Sequence, residues 1–377
     1  MRNIISHGSL IIKRMVINMY ELSNPFSISF NMMKIKYKQY DDILTALNFL
    51  SPDDKVTCFI NLETPFKYLS TIRDLEKKLI SFHHHKISMT ADIINLAAHY
   101  REFFRNNGLD TKIVLYSTDF DSSIGEFNES KFNEDYRSYY LTKYNTNPNI
   151  IMLTDALKEE VLPKAKAILD FVPDVYIVSG LNIDSGMIPY IVGEVFPDRK
   201  NIIITGDIGD TQYSYMDKFI CNFMNRSIST GLTVSSNPDM YNAVINKSKV
   251  VEHENWLSNS SMYTLLLSSI GDKNRSISTI YGLGPKTMKN IVSNSDISNM
   301  DVTSIDIIKN IFKEDIQDEI TNIFKSIDLK SRVNMLSYDE KLSIKNQLVD
   351  RSDLNELKKL NNSIFKDYQI RIESLLN

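Results

Sequence analysis

Short apolar runs alternate with stretches of helical spacing through the first half of the chain. Val56-Thr57-Cys58-Phe59-Ile60, Lys112-Ile113-Val114-Leu115-Tyr116, Val175-Tyr176-Ile177-Val178 and Asn201-Ile202-Ile203-Ile204-Thr205 each predict a strand. Ile93, Ile94, Ala97, Ala98 and Phe104 recur at helical spacing and predict a helix over 90–106, which Gly108 stops. Further helices are predicted over 157–171 and 186–195. Because the strands are almost continuously apolar, both of their faces must be covered. The expected architecture is α/β, a parallel sheet flanked by helices. Ligands of such sheets gather beyond the carboxyl ends of the strands. That rule singles out Asn61 and Glu63, residues 117–121, 182–185 and 207–212 as one group.

After Pro238 the pattern becomes mainly helical, with apolar residues at helical spacing over 309–323 and charged helices through 306–377. This half reads as a lid or clamp over the sheet. The expected organisation is an N-terminal extension (1–50), an α/β core (51–237) and a helical region (238–377). Within the extension, a short strand near residues 33–37 and a helix near 41–50 are expected, without recognisable chemistry.

Composition narrows the setting. A chain of 377 residues with 42% hydrophobic content buries a substantial core. The formal charge of −4 gives no global basic balance, so any grip on nucleic acid must come from a local patch. Cys58 and Cys221 are too few for a disulfide framework and fit a reducing compartment. No run reaches membrane-span length, and the first 20 residues are too mixed for a signal peptide, so no membrane partner is expected. Abundant Asn, Ile, Lys and Ser associate with AT-rich genomes of viral type. The expected setting is the cytoplasm, that of a host cell, or a virion.

The most specific motif lies in the second half. Gly271-Asp272-Lys273-Asn274-Arg275-Ser276-Ile277 follows the apolar run 263–270 and precedes Gly282-Leu283-Gly284-Pro285-Lys286-Thr287. Two glycines let the backbone approach a nucleic-acid strand, Pro285 fixes the turn and Lys286 supplies charge. A helix beginning near Thr287 would direct its N-terminal amides outward. Such a hairpin holds a duplex by its phosphates and reads no sequence.

Residues 265–292 resemble the helix-three-turn-helix region of the 5′-nuclease superfamily, which includes flap endonucleases, the exonuclease domain of bacterial DNA polymerase I and bacteriophage 5′-3′ exonucleases. The resemblance continues in order over 55–292, with 339–354 as closing helices. It implies a PIN-like nuclease core and a C-terminal clamp. It also implies that Gly282, Gly284, Lys286, Thr287 and Lys289 contact duplex phosphates. The segment from Phe132 to Tyr144 resembles the family's helical arch. Tyr136, Arg137 and Lys143 would receive a single strand there, although Tyr140 stands where an arginine is expected.

Family members hydrolyse phosphodiesters with divalent metals held by clustered carboxylates. Carried over, the resemblance makes Asp184, Asp207 and Asp272 the catalytic metal ligands, with Asp119 and Asp210 as nearby substitutes. Mg²⁺ or Mn²⁺ would be the cofactor of an active protein. The departures are many: Asn61 and Ser117 replace strand-end aspartates, and Asn182-Ile183-Asp184-Ser185 keeps one of three carboxylates. Gly209 and Arg275 replace two more. Two-metal hydrolysis is therefore expected to be weakened or lost.

Plainer readings stand beside these. Asp184 or Asp207 alone reads as a helix cap. His83, His84 and His85 point about 100° apart on a helix and cannot converge on one ion. Residues 205–212 lack the Gly-Lys-Ser/Thr ending of a nucleotide loop. The expected function is that of a flap endonuclease-like, structure-specific protein of replication or repair that binds branched DNA. The alternative is a non-catalytic scaffold among viral proteins. A third is an active nuclease with ligands rearranged onto Asp119, Asp121 and Asp210.

Overall fold

The computed structural model describes residues 50–62, 82–119, 157–181, 183–205, 210, 212–213, 216, 218–223, 232–234, 264–265, 268–269, 280–284, 287, 290, 306–349, 353 and 355. In chain order the elements are β1 (Lys55–Asn61), α1 (Phe82–Asn106), β2 (Asp110–Asp119), a π-helical turn (Leu157–Val161), α2 (Leu162–Leu169) and β3 (Val175–Leu181). A 3₁₀ turn (Ser185–Met187) leads into α3 (Ile188–Gly193), followed by β4 (Lys200–Thr205), β5 (Phe219–Phe223) and β6 (Leu232–Val234). The helices α4 (Asp306–Ile311), α5 (Glu314–Ile327), α6 (Leu329–Met335) and α7 (Tyr338–Lys345) complete the set.

The strands lie in the order β3-β2-β1-β4-β5-β6. Neighbours from β3 to β5 pair in parallel, and only β6 runs antiparallel, with Cys221 opposite Val234. The expected parallel α/β sheet is thus present. Its chain order grows from β1 in one direction through β2 and β3, and in the other through β4 and β5. The two directions part between β1 and β4, the place in such sheets where ligands collect beyond the strand ends.

Both faces are covered, as the apolar runs require. On one face Val56, Cys58, Ile60, Ile113, Leu115, Ile202 and Ile204 pack against Ile94, Ala97 and Phe104 of α1 and Ala165 and Leu169 of α2. On the other, Phe59, Val114, Tyr116, Val178 and Ile203 meet Ile188 and Ile191 of α3, Leu329 and Val333 of α6, and Ile344 of α7. Alternation along each strand sends successive side chains to these two cores. The helices α6 and α7 therefore share a core with the sheet.

Several bounds differ from the sequence expectation. The first helix begins at Phe82 rather than 90, because the polar His83-His84-His85 stretch hides its start from apolar periodicity. The helix expected over 157–171 opens as a π-helical turn before α2, with Pro163 in the first turn of α2. The helix expected over 309–323 is two, α4 and α5, separated at buried Phe312 and extended Lys313. The strands β5 and β6 are too short, at 5 and 3 residues, to stand out in the pattern. Gly108 does end α1. Its φ of 77° places it in the left-handed region, with Gly108 N–H donating to Arg105 O and Leu109 N–H to Phe104 O.

Ion pairs collect at the amino ends of the strands. Arg199 donates to both carboxylate oxygens of Asp110 at 2.9 Å and to the carbonyls of Val56 and Asp110, tying β1 and β2 to the start of β4. Lys200 pairs with Asp54, Lys55 with Asp198, and Lys112 with Asp174. The chemistry expected of the molecule lies at the opposite end.

Candidate functional site

At the carboxyl end of β1, the chain alternates Thr57, Phe59, Asn61 toward the face carrying α3 and α6, and Asn61 is buried there. Its Nδ2 donates to Asp210 Oδ2 at 3.4 Å. Asp210 lies beyond β4 and is only 4% exposed. Beyond β3 the chain turns at Asp184, whose Oδ1 accepts from Gly186 N at 2.8 Å and so caps the 3₁₀ turn. The plain reading of Asp184 as a cap is correct, and the cap sits inside the strand-end group. Gly186 separates the two carboxylates closely. A Cβ there would stand 2.9 Å from Asp210 Oδ1 and 3.4 Å from Asp184 Oδ1.

The cation at this site comes from the C-terminal helices. The Arg332 guanidinium of α6 donates to Asp184 Oδ2, with the two side chains only 10% and 15% exposed. Asp328 caps α6 by accepting from Ser331 N at 2.8 Å. Gln212 brackets the α5–α6 turn, donating to Ile327 O at 3.2 Å and accepting from Leu329 N at 3.0 Å. Gln212 belongs to the strand-end group 207–212. Its observed work is to fasten the helix that carries Arg332 to the end of the sheet.

Tyr213 closes the floor. Its hydroxyl donates to Gly186 O at 2.6 Å and accepts from Tyr190 N at 3.0 Å. Burial pushes its phenol well above the ordinary range, and the nearby Asp210 and Asp184 push it further. Burial likewise raises the Cys221 thiol, again helped by Asp210. Both groups stay protonated at neutral pH.

The described residues therefore bring together Asn61, Asp184, Asp210, Gln212, Tyr213 and Arg332. Asp207, Asp272, Lys286, Lys289, Tyr136, Arg137 and Lys143 lie outside the described residues, as do Glu63, Asp121, Asn182, Arg275 and the 237–238 boundary. Asp119 ends β2 opposite Leu181, its side chain outside those described. Among the described residues no group of three carboxylate, imidazole or thiolate side chains is placed to hold a metal ion. Asp184 has one oxygen on a backbone amide and the other on a guanidinium, so these residues do not fit a divalent cation. Arg332 escaped the sequence reading. The available signal was a charge next to Val333 on the apolar stripe of a helix, which ordinarily reads as a solvated edge.

The hairpin expected to grip phosphates is partly described. Ile280 and Leu283 are buried while Tyr281 between them is fully exposed. Ile280 N donates to Ser269 O and Leu283 N to Ile280 O, forming the turn. Gly282 takes φ of 83°, in the left-handed region that glycine enters without strain. Open space surrounds the Cβ position of both Gly282 and Gly284. Thr287 and Asn290 follow in helical conformation, both exposed.

No protein-family profile matches this chain, and no curated protein matches it in sequence. Among solved structures it is similar to the 5′-exonuclease of bacteriophage T5 with bound zinc, at 13% identity and a TM-score of 0.44, over 83% of this chain and 100% of that one. A bacteriophage T5 flap endonuclease pseudo-enzyme–product complex with DNA and metal ions aligns at 14% identity and 0.41, over 84% and 100%. A third structure, of the T5 protein co-crystallised with metal ions, aligns at 15% and 0.42, over 83% and 99%. Among the described residues no helix is long and apolar enough to cross a membrane.

Proposed function

We propose that this protein binds branched or junction DNA through the 280–290 hairpin, in the manner of a flap endonuclease, with metal-dependent 5′ hydrolysis weakened or lost. The observation that carries the reading is the hairpin's build. Two buried anchors, Ile280 and Leu283, hold a turn whose glycine backbone faces open space. A backbone so exposed can approach a phosphate strand without a side chain intervening. Lys286 and Lys289 supply charge from the same segment.

The double charge reversal Lys286→Glu/Lys289→Glu tests this directly. Binding of a 5′-flap DNA should weaken, and the slope of log affinity against log salt should flatten by about two, one for each phosphate no longer neutralised. Unchanged affinity and slope would remove the hairpin from the reading.

The weakened chemistry is supported by the Arg332–Asp184 ion pair and by Asn61 at the end of β1. If any cleavage survives, it would draw on Asp207, Asp272 and Asp210 with Mg²⁺ or Mn²⁺. The same ion pair also favours a second reading, a scaffold that keeps the fold and contacts other proteins of a viral assembly. Binding to neither DNA nor RNA would select it.

A further inference from the structure

We propose that Arg332 is the resident cation at the strand ends. Its guanidinium neutralises Asp184 in place of a divalent metal, so that Asp184 takes no Mg²⁺ or Mn²⁺ in this protein.

Arg332 is held in place by several independent contacts. Asp328 caps its helix, Gln212 brackets the turn before it, and Leu329, Val333 and Leu336 are buried in the core that α6 shares with β1, β2, β3 and β4. The guanidinium thus arrives at Asp184 on a fixed element rather than as a mobile surface side chain. A divalent ion at Asp184 would need several oxygen ligands. It would find one carboxylate oxygen on Gly186 N–H, the other on Arg332, and a like charge close by. Across Gly186, Asp210 already accepts from the Asn61 amide, where a strand-end aspartate would have added a further anion. The charge of Asp184 is therefore met from within the protein. The inference stands apart from DNA binding, because none of its residues lies in the 280–290 hairpin.

Two measurements test it on the full chain. In the first, Arg332→Gln and Asp184→Asn are made singly and together. Each single change strands one buried charge and should lower Tm by several degrees. The double variant, with neither charge, should lose clearly less than the sum. Additive losses would overturn the pairing. In the second, Mn²⁺ is titrated calorimetrically into wild type and into the double variant, in which neither member of the pair is left without the other. Absent or identical Mn²⁺ binding in the two is the expected result. Wild-type Mn²⁺ binding that the double variant loses would show that Asp184 ligates metal despite Arg332, and the proposal would fall.

Discussion

At Gly180 a Cβ would come 2.7 Å from Ile183 Cβ, because the chain folds back at once after β3 and Ile183 N donates to Gly180 O. Ile183 is buried, so it has little freedom to move. Gly180→Ala should cost about 1–3 kcal/mol by overpacking, read as a drop in urea midpoint without a change in slope. Gly108 presents the contrasting case. Nothing lies within 4 Å of its missing Cβ, yet its φ is 77°. Gly108→Ala should therefore cost about 1–2 kcal/mol through backbone conformation alone. A neutral result by thermal unfolding would mean the turn relaxes. The two glycines are alike in sequence. They differ in whether packing or the backbone forbids a side chain.

The helices that cover the site depend on local chemistry as well as on burial. Ser337 opens α7 with a capping box: its Oγ accepts from Glu340 N, and Glu340 Oε2 accepts from Ser337 N at 2.7 Å. Ser337→Ala should lower stability by about 1 kcal/mol, measurable by urea unfolding. Just beyond α7, Gln347 donates to Ser179 O at 2.7 Å and accepts from Ser179 N at 3.0 Å. One side-chain amide thereby takes the place of a neighbouring strand at the β3 edge of the sheet. Gln347→Ala would leave both backbone groups of Ser179 without this partner. A loss of about 1–3 kcal/mol is expected, with faster amide exchange at Ser179. Unaltered exchange there would mean that solvent replaces the amide at no cost.

Across the whole molecule the two ends of the sheet carry different electrostatics. The amino end is laced with several ion pairs, and the carboxyl end holds the part-buried Asp184–Arg332 pair. A hydrogen bond from Lys200, helped by one from the Ser51 amide, holds the Asp54 carboxyl below its ordinary 3.8. A depressed carboxylate contributes stability that is present above its unfolded pKa. That stability is lost as pH falls through the folded value. The urea midpoint should thus fall as pH drops from about 5 through 3.8 and on through the lower folded value, and fall less in Asp54→Asn. An equal fall in both would place the acid sensitivity elsewhere. Asp54 is close to the surface, so high salt should reduce the effect.

The sequence by itself determined the sheet. Runs such as Ile202-Ile203-Ile204 can be stable only when covered on both faces, and that condition selects a parallel sheet with helices on each side. It also determined that Asp184 suits a cap, which follows from local backbone chemistry. Strand order, the short β5 and β6, and the division of α4 from α5 were not legible, because each depends on partners distant in the chain. The strand-end site divides in the same way. Asn61, Asp184 and Asp210 could be named from their places after strands. Arg332 could not, being 148 residues from Asp184 and inconspicuous on its own helix. Only the packing of α6 against the sheet decided which cation meets that carboxylate, because a charge finds its partner through folding and leaves no local spacing to read.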